Sequence, residues 1–82
     1  MRFNDIKQGG FYRLKSSPDY GYIKILCVLK PKETKTYLTF DGSYRTDTNM
    51  NNFCIVRCIH SSNKDFSFGL IRDFKPKDII NL

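Results

Sequence analysis

Along the chain, apolar residues recur every second position in short runs, and turn-forming residues interrupt them at intervals of 8 to 12 residues. That period is the signature of half-buried strands. Residues 11–15 alternate and are aromatic, and the polar turn that follows, Ser16-Ser17-Pro18-Asp19-Tyr20-Gly21, ends them. Residues 22–30 form the strongest strand, stopped by Pro31. Along it Ile23, Ile25, Cys27 and Leu29 point one way and make the expected core face, opposite Tyr22, Lys24, Leu26, Val28 and Lys30. Residues 31–35 read as a charged loop, 36–40 as a strand of Thr and aromatics, and Asp41-Gly42 as a turn. Residues 43–52 are polar and Asn-rich, either an exposed hairpin tip or a mobile loop.

Residues 53–61 form a further strand whose two faces conflict. Phe53 and Ile55 argue that their side is dry, whereas Arg57 argues that it is wet. A turn over 61–65 leads to a strand over 66–74, with Gly69 as a bulge. Pro76-Lys77-Asp78 suits a short 3-10 turn, and the last four residues a closing strand. No window of 11 residues keeps helical apolar spacing. The chain therefore reads as one all-β domain over residues 1–82, a small barrel of about five short antiparallel strands, because closure removes exposed edges. Its expected core is Ile23, Ile25, Cys27, Leu29, Ile55, Val56, Phe66, Phe68, Leu70 and Ile79.

Two stretches resemble the SH3-like barrel superfamily. Ile6 through Leu14, with the glycine turn Gly9-Gly10, followed by Tyr20-Gly21-Tyr22 and the apolar strand to Val28, is similar to the opening of KOW and Tudor-type barrels. Gly69-Leu70-Ile71 through Lys75-Pro76-Lys77-Asp78-Ile79-Ile80 is similar to the SH3 ending, where Gly, apolar residues and Pro lead into a 3-10 turn and a last strand. The resemblance implies a binding module. The chain departs from peptide-binding SH3 domains in having no tryptophan for an indole platform and no acidic cluster after an early strand. A Tudor-type aromatic cage would draw on Tyr12, Tyr20, Tyr22 and Tyr37.

Charge narrows the function. Fourteen Lys and Arg against eight Asp and Glu give +6, which favours an anionic partner over a neutral one. The three cysteines, Cys27, Cys54 and Cys58, are an odd number. On one extended strand Cys54 and Cys58 would lie about 13 Å apart, beyond disulfide reach, so buried thiols in a reducing cytoplasm are expected. The longest apolar run, residues 25–29, falls far short of a membrane span, and residues 1–10 carry no secretory signal.

Catalytic sets are poorly supported. Cys27, Cys54, Cys58 and His60 are legal zinc ligands but lack the knuckle spacing of zinc sites. Cys58 and His60, about 6.5 Å apart along a strand, do not suit a nucleophile pair. Asp41 with Asp47, and Asp73 with Asp78, sit in contexts expected to be solvated. Gly9-Gly10 precedes a strand rather than a helix, so it forms no phosphate loop. No cofactor and no enzyme activity are expected.

The basic residues say more. If the first two strands pair, Arg13, Lys15 and Lys24 share an outer face rimmed by Tyr20 and Tyr22, with Lys30 and Lys32 at the following loop. Cations for phosphates and aromatic rings for stacking are what single-strand binders use. The leading expectation is a non-catalytic nucleic-acid-binding module acting through these seven residues. The alternative is a phage-type inhibitor or adaptor, anti-CRISPR-like in mode, that occupies a functional site of a host or defence protein through Tyr37, Phe40, Tyr44 and Arg45.

Overall fold

A computed structural model describes residues 1–16, 21–39, 42–60 (the His60 side chain excepted) and 71–82. It contains seven antiparallel strands among these residues: β1 (Phe11–Leu14), β2 (Ile23–Leu29), β3 (Thr34–Leu38), β4 (Tyr44–Thr48), β5 (Ile55–His60), β6 (Ile71–Phe74) and β7 (Ile79–Ile80). Two 3-10 turns, Phe3–Asp5 and Pro76–Asp78, complete it. The all-β class expected from alternation is the class observed. Five strands form one sheet in the order β6-β5-β2-β1-β7, and β3 and β4 form a separate two-stranded sheet. Among the described residues no ladder joins β6 to β7, so the hydrogen-bonded order is open at both edges.

The middle of the sheet, β2 and β5, is buried on both faces, which corrects the single core face expected for β2. A β-bulge shifts the β2–β5 register between Ile25 and Cys27. Before it, Ile23 and Ile25 join Ile6, Tyr12, Leu14, Val56, Cys58 and Ile79 on one face. After it, Leu26, Cys27 and Leu29 join Tyr37, Ile55 and Ile59 on the other. A bulge inserts one unpaired residue and so reverses the alternation downstream. Leu26, expected on the outer face, is therefore core. Each fully buried Ile or Leu contributes about 1.5–3 kcal/mol.

The strand expected over 53–61 begins two residues later, and Phe53 stays exposed outside it. Its conflict of faces dissolves: Ile55 and Val56 are both buried because both faces are covered. Arg57 is tolerated next to them because it is paired. Its Nε and Nη2 donate to Asp73 at 2.8 and 3.0 Å and its Nη1 to Asp47 at 2.5 Å.

Residues 44–48, expected as a tip or mobile loop, are a regular strand paired residue for residue with 34–38. Three features hold this hairpin. Thr34 bonds Thr48 and Thr36 bonds Thr46, each at 2.7 Å between hydroxyls. The Tyr37 hydroxyl donates to Asp47. Asn49, 1% exposed, donates through Nδ2 to the Lys30 and Phe53 carbonyls at 3.0 and 2.8 Å and accepts from the Asn51 amide. Asp47 is thus a structural carboxylate rather than a solvated one. Burial raises its pKa, but hydrogen bonds from Tyr37, Arg45 and Arg57 outweigh that and hold it below the ordinary carboxylate range. The turn at 61–65, the Gly69 bulge and the core assignments of Phe66, Phe68 and Leu70 lie outside the described residues.

Candidate nucleic-acid interface

The register of β1 decides what the outer face presents. Tyr12 and Leu14 are buried. The Tyr12 hydroxyl accepts from the Lys7 amide at 2.9 Å, which pins the ring beneath the Gly9-Gly10 turn. Gly10 is required there, because a Cβ would lie 2.9 Å from the Tyr12 ring and 3.0 Å from the Lys7 carbonyl oxygen. With Tyr12 inward, Phe11 and Arg13 must point outward. Phe11 pairs with Lys24 across the ladder, so Lys24 joins that face, and Tyr22 follows at the same parity. The hairpin of β1 and β2 thus places Arg13, Tyr22 and Lys24 on one outer face, and Lys15, also exposed, lies one residue past the end of β1.

One member was missed. Phe11 supplies the ring that the sequence argument sought in Tyr20. It is 43% exposed and stands edge-to-face with Tyr22, itself 41% exposed, at 5.5 Å between centroids and 77°. The Lys24 ammonium lies 6.0 Å from the Phe11 centroid, within cation–π range. The signal was available, since Phe11 sits two residues before Arg13 and so shares its face. Tyr20 and Phe40 lie outside the described residues. Beside this face a groove of about 270 Å³ runs between Gln8 and Gly9 of the turn before β1, Lys24 of β2, and Leu38 and Thr39 of the β3–β4 hairpin.

Other expected residues fall elsewhere. Lys30 and Lys32 are exposed, but six to eight residues beyond Lys24, roughly 20 Å further along the strand. Lys32 donates to the Met50 carbonyl oxygen at 2.6 Å, so it braces a turn at the far end. Tyr37 cannot be an interface residue: it is 2% exposed and sits in the second core cluster. Tyr44 is 75% exposed and Arg45 stands on the surface against Asp47.

The ion pairs concentrate the remaining charge. Lys35 with Glu33, Arg45 with Asp47, and Arg57 with Asp47 and Asp73 use three bases and three acids. The whole +6 excess therefore belongs to the rest of the chain. Among the described residues, Arg13, Lys15 and Lys24 form no ion pair.

A larger groove, about 480 Å³, opens at the other end of β5 and β6, where the Lys75 ammonium stands 4.5 Å above the Phe53 ring. Asp73 and Asp78 line it alongside Lys75 and Lys77, so its field is mixed. Cys27 and Cys58 are buried, and burial pushes their thiols up to about 11 and about 12, despite the nearby Arg57 in the first case. They are poor nucleophiles and poor metal ligands. Among the described residues no three His, Cys, Asp or Glu side chains come together, and no helix is long and apolar enough to cross a membrane.

Comparison with protein families, with curated proteins and with solved structures returned no match to this chain. The class that the fold and surface define is an all-β protein whose β1–β2 face combines cations that form no ion pair among the described residues with exposed aromatic rings.

Proposed function

We propose that this chain is a non-catalytic module of SH3-like strand arrangement that binds single-stranded nucleic acid on the β1–β2 outer face. The observation that carries this is the Phe11–Tyr22 ring pair, exposed beside Lys24, Arg13 and Lys15. Exposed rings at a cationic face fit the flat faces of unstacked bases, which a duplex hides. The antiparallel pairing of β1 with both β2 and β7, and the 3-10 turn before β7, support the SH3-like arrangement. Three free thiols fit a reducing, cytoplasmic setting.

The test is fluorescence anisotropy of labelled single strands and duplexes between 50 and 200 mM salt. Three cations meeting phosphates give a slope near −2 on a log–log plot, or about a twentyfold loss of affinity across that range. Equal binding to duplex, or affinity indifferent to salt, overturns the proposal. A second reading, a phage-type inhibitor or adaptor that meets a host or defence protein, draws on Tyr44 and Met50, both about three-quarters exposed. It predicts that Tyr44→Ala, and not Arg13→Glu, abolishes activity.

A further inference from the structure

We infer that the outer edge of β4 pairs with the same edge of a second copy of this chain, antiparallel and centred on Thr46. Ladder geometry identifies which backbone groups face outward. Asn49 N–H donates to the Glu33 carbonyl and Thr39 N–H to the Ser43 carbonyl, each at 2.8 Å. These bonds bracket the hairpin, so its odd-numbered β4 residues, Arg45 and Asp47, exchange bonds with β3. The N–H and C=O groups of Tyr44, Thr46 and Thr48 point away from β3. Among the described residues β4 pairs with β3 alone, and all five of its register pairs run without a bulge.

Open edges of this kind are templates for pairing, and sequences that avoid it place charged side chains, Pro or a bulge there. Residues 44–48, Tyr-Arg-Thr-Asp-Thr, carry no Pro and no bulge, and their two charges, Arg45 and Asp47, are of opposite sign and bonded to each other.

Charge selects both the occupant and the register. In an antiparallel pair centred on Thr46, residues 44, 46 and 48 meet residues 48, 46 and 44 of the second copy in bonded pairs. Arg45 then faces Asp47 across the two-fold axis, twice. The two neighbouring registers with the same bonding parity place Arg45 on Arg45, or Asp47 on Asp47, and like charges directly opposite are destabilising. All three alignments are two-fold symmetric, and only the one centred on Thr46 is electrostatically matched. Locally the edge is neutral, since Arg45 and Arg57 balance Asp47 and Asp73, so two +6 chains can meet there. The Thr36–Thr46 pair would continue into its symmetry mate as one row of four threonines.

Position-specific cross-linking tests this without reference to any ligand. On the axis, Thr46 faces its own copy with Cα atoms about 5.5 Å apart, within disulfide range. Tyr44 and its copy stand about 13 Å apart. Under mild oxidation, Thr46→Cys should give a reducible species of twice the 9.6 kDa chain mass, and Tyr44→Cys and the native chain should not. In sedimentation equilibrium the native chain should show a dimer that Thr46→Lys removes while the circular dichroism spectrum is unchanged. A native chain that sediments at 9.6 kDa up to millimolar concentration, or cross-linking equally efficient at both positions, overturns the inference.

Discussion

Replacing Arg57 with methionine removes the side chain that ties the β3–β4 hairpin to the five-stranded sheet. Its guanidinium holds Asp73 with two bonds and Asp47 with one, and only 15% of the side chain is exposed. Hydrogen bonding to Asp73 above all, against the opposing effect of burial, raises its pKa beyond the ordinary arginine value. Bonds to charged groups contribute about 1.5–3 kcal/mol each. The Asp73 share is discounted to about 1 kcal/mol, because that carboxylate is 40% exposed and regains water. The Asp47 share keeps most of its value, about 2 kcal/mol, because Tyr37 and Arg45 hold that carboxylate in place at a dry position. Methionine restores some apolar contact. The expected loss is about 2–3 kcal/mol, against a total of roughly 4–12 kcal/mol for a domain of this size. In urea unfolding followed by circular dichroism, the midpoint should fall without a change in slope. By native-state hydrogen exchange, the amides of β3 and β4 should lose more protection than those of β1. A loss below about 1 kcal/mol, or one spread evenly over the sheet, would refute the role given to Arg57.

Four further outcomes are expected. Asn49→Ala leaves the Phe53 carbonyl without its side-chain donor and the Lys30 carbonyl with the Glu33 amide alone, and should cost about 1–3 kcal/mol in the same unfolding assay. Lys32 holds φ +62 at the turn after Pro31, so Lys32→Gly should be more stable by about 0.5–1 kcal/mol than Lys32→Ala, which loses the same bond to the Met50 carbonyl, and the reverse order would contradict the strain argument. Asp47 titrates lower in the folded chain than in the unfolded one, so its contribution is complete above the ordinary carboxylate pKa and fades as pH falls through the lower folded value. As pH falls below the ordinary carboxylate pKa, the native chain should therefore lose stability more steeply than Asp47→Asn. A thiol reagent at neutral pH should modify Cys54, which is half-buried, well before Cys27 and Cys58; simultaneous reaction of all three would mean that the two buried thiols are not protected.

Period-two patterning made the strands and the β1–β2 face legible. Tyr12 and Leu14 alternate with Phe11 and Arg13, and the structure obeys that parity. What patterning could not carry was the second core. Alternation over Ile23 to Leu29 is continuous in sequence, but the bulge after Ile25 depends on β5, a non-local partner, and moves Leu26 and Cys27 to one cluster. Tyr37 is expected at an interface from sequence, yet with Thr36 and Leu38 exposed its ring turns inward and joins the second core cluster. Asp47 and Asn49 read as solvated because each finds its partners many residues away, on Arg57 and on the Lys30 carbonyl. Polar residues with distant partners have no local signature.

The most direct test of the central claim is an amide chemical-shift titration of the native chain with a short thymidine oligonucleotide at low salt. Shifts confined to the β1–β2 face, strongest at Phe11, Arg13, Tyr22 and Lys24, are the predicted result. Shifts centred instead on Phe53 and Lys75, or an unchanged spectrum at saturating oligonucleotide, would contradict it.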